Sequence, residues 1–339
     1  MFGCFILLLL LVSVVLSIPY TQTKLGNYAT KILNNEFNTS ISIKKIDLSL
    51  LGKVQLEGVK IRDHHQDTLI FVHKLSTSVI NAKKIIKSEV NLGSVFLEGV
   101  FVNMKTYLGE TDDNMTVFID SFDDGIPKDS LSNSFILKSS DVYLNDFNYT
   151  LINQNNKTPI SFSAQNGGGN LQDLLIHGPD FSSKIRGLYF TDNKDLEVTS
   201  LTTDFTYSKT AMHFQNTILK TRKSEIRASI DFTYKKEDLA TFNDKVNINA
   251  IFDNSKVAIP DLKKYYSELG GDDVVRFSGN LSGKLNDFSI DKFRLTSQYG
   301  INIVGDLDFV NAVNFQRGFV FKGDFKNLSA TYNELKKIL

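Results

Sequence analysis

From Ile226 to Tyr234 apolar and polar positions alternate strictly. Ile226, Ala228, Ile230, Phe232 and Tyr234 are apolar or aromatic, and Arg227, Ser229, Asp231 and Thr233 between them are polar. A period of two places one set on each face of a β-strand. The same rhythm runs through Leu201, Thr203, Phe205, Tyr207 and through Phe319, Phe321, Gly323, Phe325, whereas few segments show helical spacing. The pattern predicts a mainly β chain, a long succession of antiparallel strands with one wet and one apolar face. A chain with few helices leaves those apolar faces two options: they meet another sheet, or they line a cavity.

The alternation predicts strands over 40–50, 54–63, 68–80, 89–97 and 100–107, a meander joined by short turns such as Leu51-Gly52-Lys53 and the polar His64-His65-Gln66-Asp67. Within it, Leu56-Glu57-Gly58-Val59 recurs as Leu97-Glu98-Gly99-Val100, the mark of a repeated β-unit. Residues 109–134 turn acidic and loop-like and divide an N-terminal part (19–108) from a longer one (135–339). Three glycines at 167–169 predict a bulge or turn within strand-like sequence. Short helices are expected at 22–35, at 261–269 and at 331–339; the last ends the chain without a closing strand and suggests a piece of a longer protein. Glycines in mid-strand at 279, 305 and 323 point to a sheet that curves or admits something close to its backbone.

Composition narrows the function. Thirty-eight basic and 38 acidic side chains balance to zero, which speaks against a nucleic-acid partner. The single cysteine, Cys4, lies in the N-terminal apolar run, so neither an internal disulfide nor a cysteine zinc site is available. That run, with Phe5, Ile6, Leu7, Leu8, Leu9, Leu10, Leu11, Val12, Val14, Val15 and Leu16, has no charge from Phe2 to Ile18. About 17 residues at about 1.5 Å each make a helix of about 26 Å, the short end of a bilayer span. Residues 1–18 are therefore read as a membrane anchor with the body exported; a cleaved signal peptide is the competing reading, with small residues at Val15 and Ser17 but an unfavourable Pro19.

The densest group of chemically useful side chains is Asp63, His64, His65, Asp67 and His73. His64 and His73 fall at the two ends of a hairpin loop and would at most pair around a metal, while neighbouring histidines in a turn read as solvated loop residues. No nucleophile elbow, zinc-protease helix or phosphate loop is present. The residues point to no catalytic group, no metal and no cofactor.

The apolar run, the helix at 22–35, the strand pair Thr39–Asp47 and Val54–Asp63 with its Leu-Glu-Gly-Val, and Asp67-Thr68-Leu69 together resemble the start of an AsmA-like protein of the TamB branch, from the translocation and assembly module. Residues 261–283 and 328–331 resemble its later repeats. The resemblance implies an elongated, twisted antiparallel β-groove, open and β-helix-like, with an N-terminal membrane helix and a few short capping helices. It implies anchorage in the inner membrane with the body in the periplasm, and an apolar interior that carries phospholipid acyl chains toward the outer membrane. It also implies an outer-membrane barrel partner met through a C-terminal region that this chain lacks. On the residues themselves, the groove lining is expected at Ile41, Ile43, Leu56, Phe101, Phe205, Tyr207, Ile226, Ile230, Phe232, Phe319, Phe321 and Phe325. The alternatives are an assembly factor that pairs its sheet edges with client strands, and a non-catalytic structural β-protein with a closed dry core.

Overall fold

The computed structural model describes residues 40–48, 53–78, 89–121, 136–157, 159–267 and 269–331, with Lys31 and Asn34. The expected anchor at 1–18, nearly all of the helix at 22–35 and all but Thr331 of the helix at 331–339 lie outside these residues. Among the described residues no helix is long and apolar enough to cross a membrane.

The chain divides into two compact units, the first ending at Phe181 and the second starting at Ser182. The first carries β1 (Ser40–Leu48), β2 (Lys53–Arg62), β3 (Thr68–Ser78), β4 (Glu89–Leu92), β5 (Val95–Thr106), β6 (Ile136–Asn153) and β7 (Ile160–His177), in the sheet order β1-β2-β3-β5-β6-β7 with β4 beside β6. In the second, β8 (Asp180–Asp192), β9 (Glu197–Tyr207), β10 (Ala211–Thr221), β11 (Glu225–Thr233), β12 (Asn247–Ala258), β13 (Val274–Gly283), β14 (Phe288–Ser297), β15 (Asn302–Val310) and β16 (Val320–Ser329) follow one another as antiparallel neighbours. The acidic segment 109–134 therefore falls inside the first unit.

The sheet of the first unit is mixed, which corrects the expectation of purely antiparallel pairing. Strands β4 and β5 both run parallel to β6, in the registers Val90↔Leu137 and Val95↔Val142. A parallel neighbour needs a crossover of about a dozen residues or more, and residues 107–135 provide it. That connection holds a helix, α1 (Asn114–Asp120), where only loop was expected; Asp113 caps it by accepting the Thr116 N–H at 2.8 Å. The helix expected at 261–269 is shorter and earlier: α3 (Ile259–Leu262) starts with Pro260 in its first turn, where a missing N–H costs nothing. Before it, a 3₁₀ turn (Lys236–Thr241) runs into α2 (Phe242–Lys245).

Several hairpins share one turn chemistry. Asp63 bonds back to Asp67 across β2 and β3, with Gln66 at φ 66°, and its Oδ1 accepts the N–H of His65 (3.0 Å) and Asp67 (2.9 Å). Asp192 does the same between β8 and β9, accepting Lys194 (2.8 Å) and Leu196 (2.7 Å) with Asp195 at φ 61°. A short side-chain acceptor that mimics the next backbone carbonyl suits Asp and Asn to such turns. Both aspartates are buried and each also accepts a tyrosine hydroxyl, Tyr107 and Tyr265 respectively.

Candidate apolar binding face

Residues directly opposite in register lie on one face, so the register shows what each face is made of. In the second unit one row across eight strands reads Tyr207, Met212, Phe232, Ile248, Gly283, Phe288, Phe309, Phe321. The row two residues further along reads Phe205, Phe214, Ile230, Ala250, Leu281, Ile290, Leu307, Gly323. Neither contains a polar side chain other than the Tyr207 phenol. The row between them, on the opposite face, reads Thr206, His213, Asp231, Asn249, Ser282, Ser289, Asp308, Lys322 and is polar throughout.

The first unit repeats the arrangement. Ile46, Leu56, Leu75, Leu97 and Leu144 form one row, and Ile43, Val59, Val72, Val100, Phe147 and Gly167 another. Three residues separate these rows, an odd number that would ordinarily put them on opposite faces. Between them stand Gly58 at φ 62° and Gly99 at φ 63°, left-handed conformations that reverse the phase of the strand. Burial in β5 follows the reversal: Val95 and Val100 are buried, while Phe96, Glu98 and Phe101 are exposed.

A similar device crosses the second unit as a line of bulges. Registers slip at Phe214/Thr217 in β10, at Phe252/Ser255 in β12 and at Ile290/Phe293 in β14, each with a positive φ at the extra residue: Asn216, Asn254 and Lys292. A bulge bends its strand and tightens the local twist, so bulges at one level in alternate strands crease the sheet. Beyond the crease the same face continues as Leu201, Leu219, Ile226 and as Phe277, Leu295, Ile303, Leu328. The ladder groups a bulge releases are re-bonded by hydroxyls. Ser255 Oγ accepts the Arg227 N–H (2.9 Å) and donates to the Arg227 carbonyl (3.0 Å); Thr203 and Thr217 bond each other at 2.8 Å.

Among the described residues, helical segments and the loop after one of them pack at the two ends of the second unit's face. At one end the Phe242 ring of α2 lies 5.6 Å from that of Phe232. At the other, Leu262 and Leu269 pack on the cluster Val257, Ile259 and Val275. Between the ends, Phe214, Ile230, Phe232, Leu281, Phe288 and Ile290 stay partly exposed, although Ile248, Ala250 and Leu307 in the same rows are buried. Rings stack along the rows instead, Phe205 on Phe214 and Phe288 on Phe309 each at 4.7 Å, contacts worth about 0.5–1.5 kcal/mol apiece. In the first unit the Tyr149 hydroxyl donates to the Met104 sulfur, at 3.2 Å, and burial pushes its pKa up to about 12.

The structure brings most of the expected lining residues onto these faces. Ile41, Ile43 and Leu56 lie on the apolar face of the first unit; Phe205, Tyr207, Ile226, Ile230, Phe232, Phe321 and Phe325 lie on that of the second. Phe319 precedes β16 and is exposed. Phe101 is on the opposite face, 44% exposed beside Phe71, because Gly99 has already reversed the strand. The sequence reading passed over Phe214, Phe288 and Phe309, whose alternation is broken by the neighbouring bulges or turns.

The histidine cluster takes a different form from the expected pair. His73 sits in mid-strand on β3, its Cβ 2.8 Å from where a side chain on Gly99 would begin. His64 and His65 instead meet Glu110, at 2.9 and 2.6 Å. No family model matches this chain, and no curated protein or solved structure matches it either.

Proposed function

We propose that this protein is a membrane-tethered, non-catalytic envelope protein whose apolar sheet face holds and conducts phospholipid acyl chains between two membranes, as the AsmA-like resemblance implies. One observation supports the reading above the rest: two rows without a charged residue run across eight strands, and Phe214, Ile230, Phe232, Leu281, Phe288 and Ile290 in them remain partly exposed. Water is a poor cover for such a face, and each acyl CH₂ withdrawn onto it gains about 0.8 kcal/mol. The crease shapes the face around a linear tail. On this reading residues 1–18 tether the body to the inner membrane.

The test is a photo-reactive phenylalanine analogue placed in the full chain, in cells, at Ile230 or Phe214 and, as controls, at His213 or Asn249 on the polar face. Phospholipid adducts at the first pair alone are expected. Equal adducts on both faces, or none on either, would overturn the proposal.

A second reading has its own observation. Strand β16 is exposed at all ten positions and, among the described residues, pairs only with β15. An open edge of that kind accepts a client strand by backbone hydrogen bonding. Protein adducts at Lys326 in place of lipid adducts at Ile230 would favour it.

A further inference from the structure

Three loops meet at one end of the first unit, and each is pinned by side chains. The turn 63–67 is folded around the buried Asp63, whose Oδ2 accepts the Tyr107 hydroxyl (2.7 Å) and the Asn114 amide (2.8 Å). The loop 107–110 is closed by the Glu110 N–H on the Tyr107 carbonyl (3.0 Å). The 153–157 loop clamps it: Gln154 accepts the Leu108 N–H (3.1 Å), and Asn155 accepts that of Gly109 (2.8 Å) and donates to the Glu110 carbonyl (3.0 Å). The Tyr107 ring stacks on His65 with centroids 3.8 Å apart and meets the edge of His64 at 5.6 Å.

This scaffold aims three ligand-type atoms at one point. His64 Nε2 is 2.9 Å from one Glu110 carboxylate oxygen, His65 Nε2 is 2.6 Å from the other, and the three donors lie within 4.8 Å of one another. A tetrahedral ion with bonds of about 2.0–2.1 Å holds its ligand atoms about 3.4 Å apart, so a shift of under about 1 Å in each would admit one. All three side chains keep a solvent-facing portion, between 29% and 45% exposed, which leaves a path of entry and room for water as a fourth ligand. Three carboxylates, of Asp63, Asp67 and Glu110, stand against two cations in these loops, the Lys105 ammonium bound to Asp67 at 2.9 Å and the Arg62 guanidinium donating to the Gln66 carbonyl at 2.8 Å.

We propose that His64, His65 and Glu110 form a binding site for one divalent transition metal, with two imidazoles and a carboxylate matching zinc, and that the ion staples the β2–β3 turn to the loop after β5. The site is independent of the lipid reading, since it lies in loops off the apolar rows. Imidazole and carboxylate select zinc-like ions over the oxygen-preferring calcium and magnesium. The bland account of the same contacts is a pair of His–Glu hydrogen bonds, and the test separates the two.

The full chain in detergent, stripped with a chelator, is titrated with Zn²⁺ alone against a chromophoric competitor, and with Co²⁺ by visible absorption. One Zn²⁺ per chain is expected, with a four-coordinate Co²⁺ spectrum and a melting temperature that rises with Zn²⁺. Each of H65A and E110Q should weaken binding at least about tenfold, and H213A should leave it unchanged. E110Q can still accept a hydrogen bond from one histidine through its oxygen and donate to the other through its amide nitrogen, so it keeps the fold testable should H65A loosen the turn; metal-free melts check this. No Zn²⁺ uptake, or uptake unaltered in both variants, would overturn the proposal.

Discussion

At Ser255 one hydroxyl replaces the two ladder hydrogen bonds that the neighbouring bulge takes from Arg227. Ser255 is fully buried, and Ser255→Ala would leave a backbone donor and acceptor with no side-chain partner. Groups orphaned in this way cost about 1–3 kcal/mol, so a drop of that size in unfolding free energy, measured by urea titration, is expected. Ser255→Cys should recover little, because sulfur is a weak partner. The turn at 63–67 makes a pH prediction. The Lys105 ammonium and then the Tyr107 hydroxyl hold the Asp67 carboxyl below its usual range, and His65 and then His64 do the same for Glu110. For a carboxyl whose folded pKa is depressed, the unfolded chain takes up the proton first. The contribution is full above the ordinary carboxylate value of about 4 and is lost as pH falls from there through the depressed values. Urea midpoints should thus decline below about pH 4, and Asp67→Asn should flatten that decline; an unchanged slope would remove Asp67 from the account.

At the scale of the strand, glycine and asparagine decide which face a residue occupies. Asn216 holds φ at 54° in mid-strand, and a β-branched residue there is strained by about 1–3 kcal/mol. Asn216→Val should destabilise by that amount in urea titration while Asn216→Gly stays near neutral. Gly99→Val should cost more, because its Cβ would also sit 2.8 Å from that of His73. These same positions explain how far the sequence could be read. Strands β9, β11 and β15 have no positive-φ residue and β13 has one only at its last residue, Gly283, and their two-residue rhythm is unbroken, as in 201–207 and 226–232. In β10, β12 and β14 the spacing across the bulge is five residues: Phe214 to Leu219, Phe252 to Val257, Ile290 to Leu295. An odd interval looks like loss of pattern until the bulge is known, and Phe214 went unrecognised for that reason. Phe101 was placed on the wrong face by the same logic at Gly99. The parallel pairing of β5 with β6 and the meeting of Glu110 with His64 and His65 depend on contacts between residues more than 40 apart, which no local rhythm encodes.

At the scale of the molecule, charge and apolar surface point the same way. The chain carries no net charge, so no long-range field draws it to an anionic partner, and on the proposed reading a retained lipid is held by its tail. An acyl chain of about 16 carbons wholly withdrawn from water gains roughly 13 kcal/mol, and an open face captures a part of that. Binding of this kind is indifferent to ionic strength because no ion pair contributes. Purified full-length protein washed in about 1 M salt should therefore still yield phospholipid in organic extracts, read by mass spectrometry. The double substitution F214D/I230D sets two carboxylates in the middle of the rows, next to where a tail would lie. Both positions are partly exposed, so the carboxylates can reach water and the sheet is expected to remain folded, with thermal melts as the check. A tail can no longer lie across them without stripping that water, and extracted phospholipid should fall at least about tenfold, the factor that corresponds to 1.4 kcal/mol. Salt that strips the lipid, or a double variant that retains it, would mean that headgroups or some other surface hold it and that the apolar rows do not.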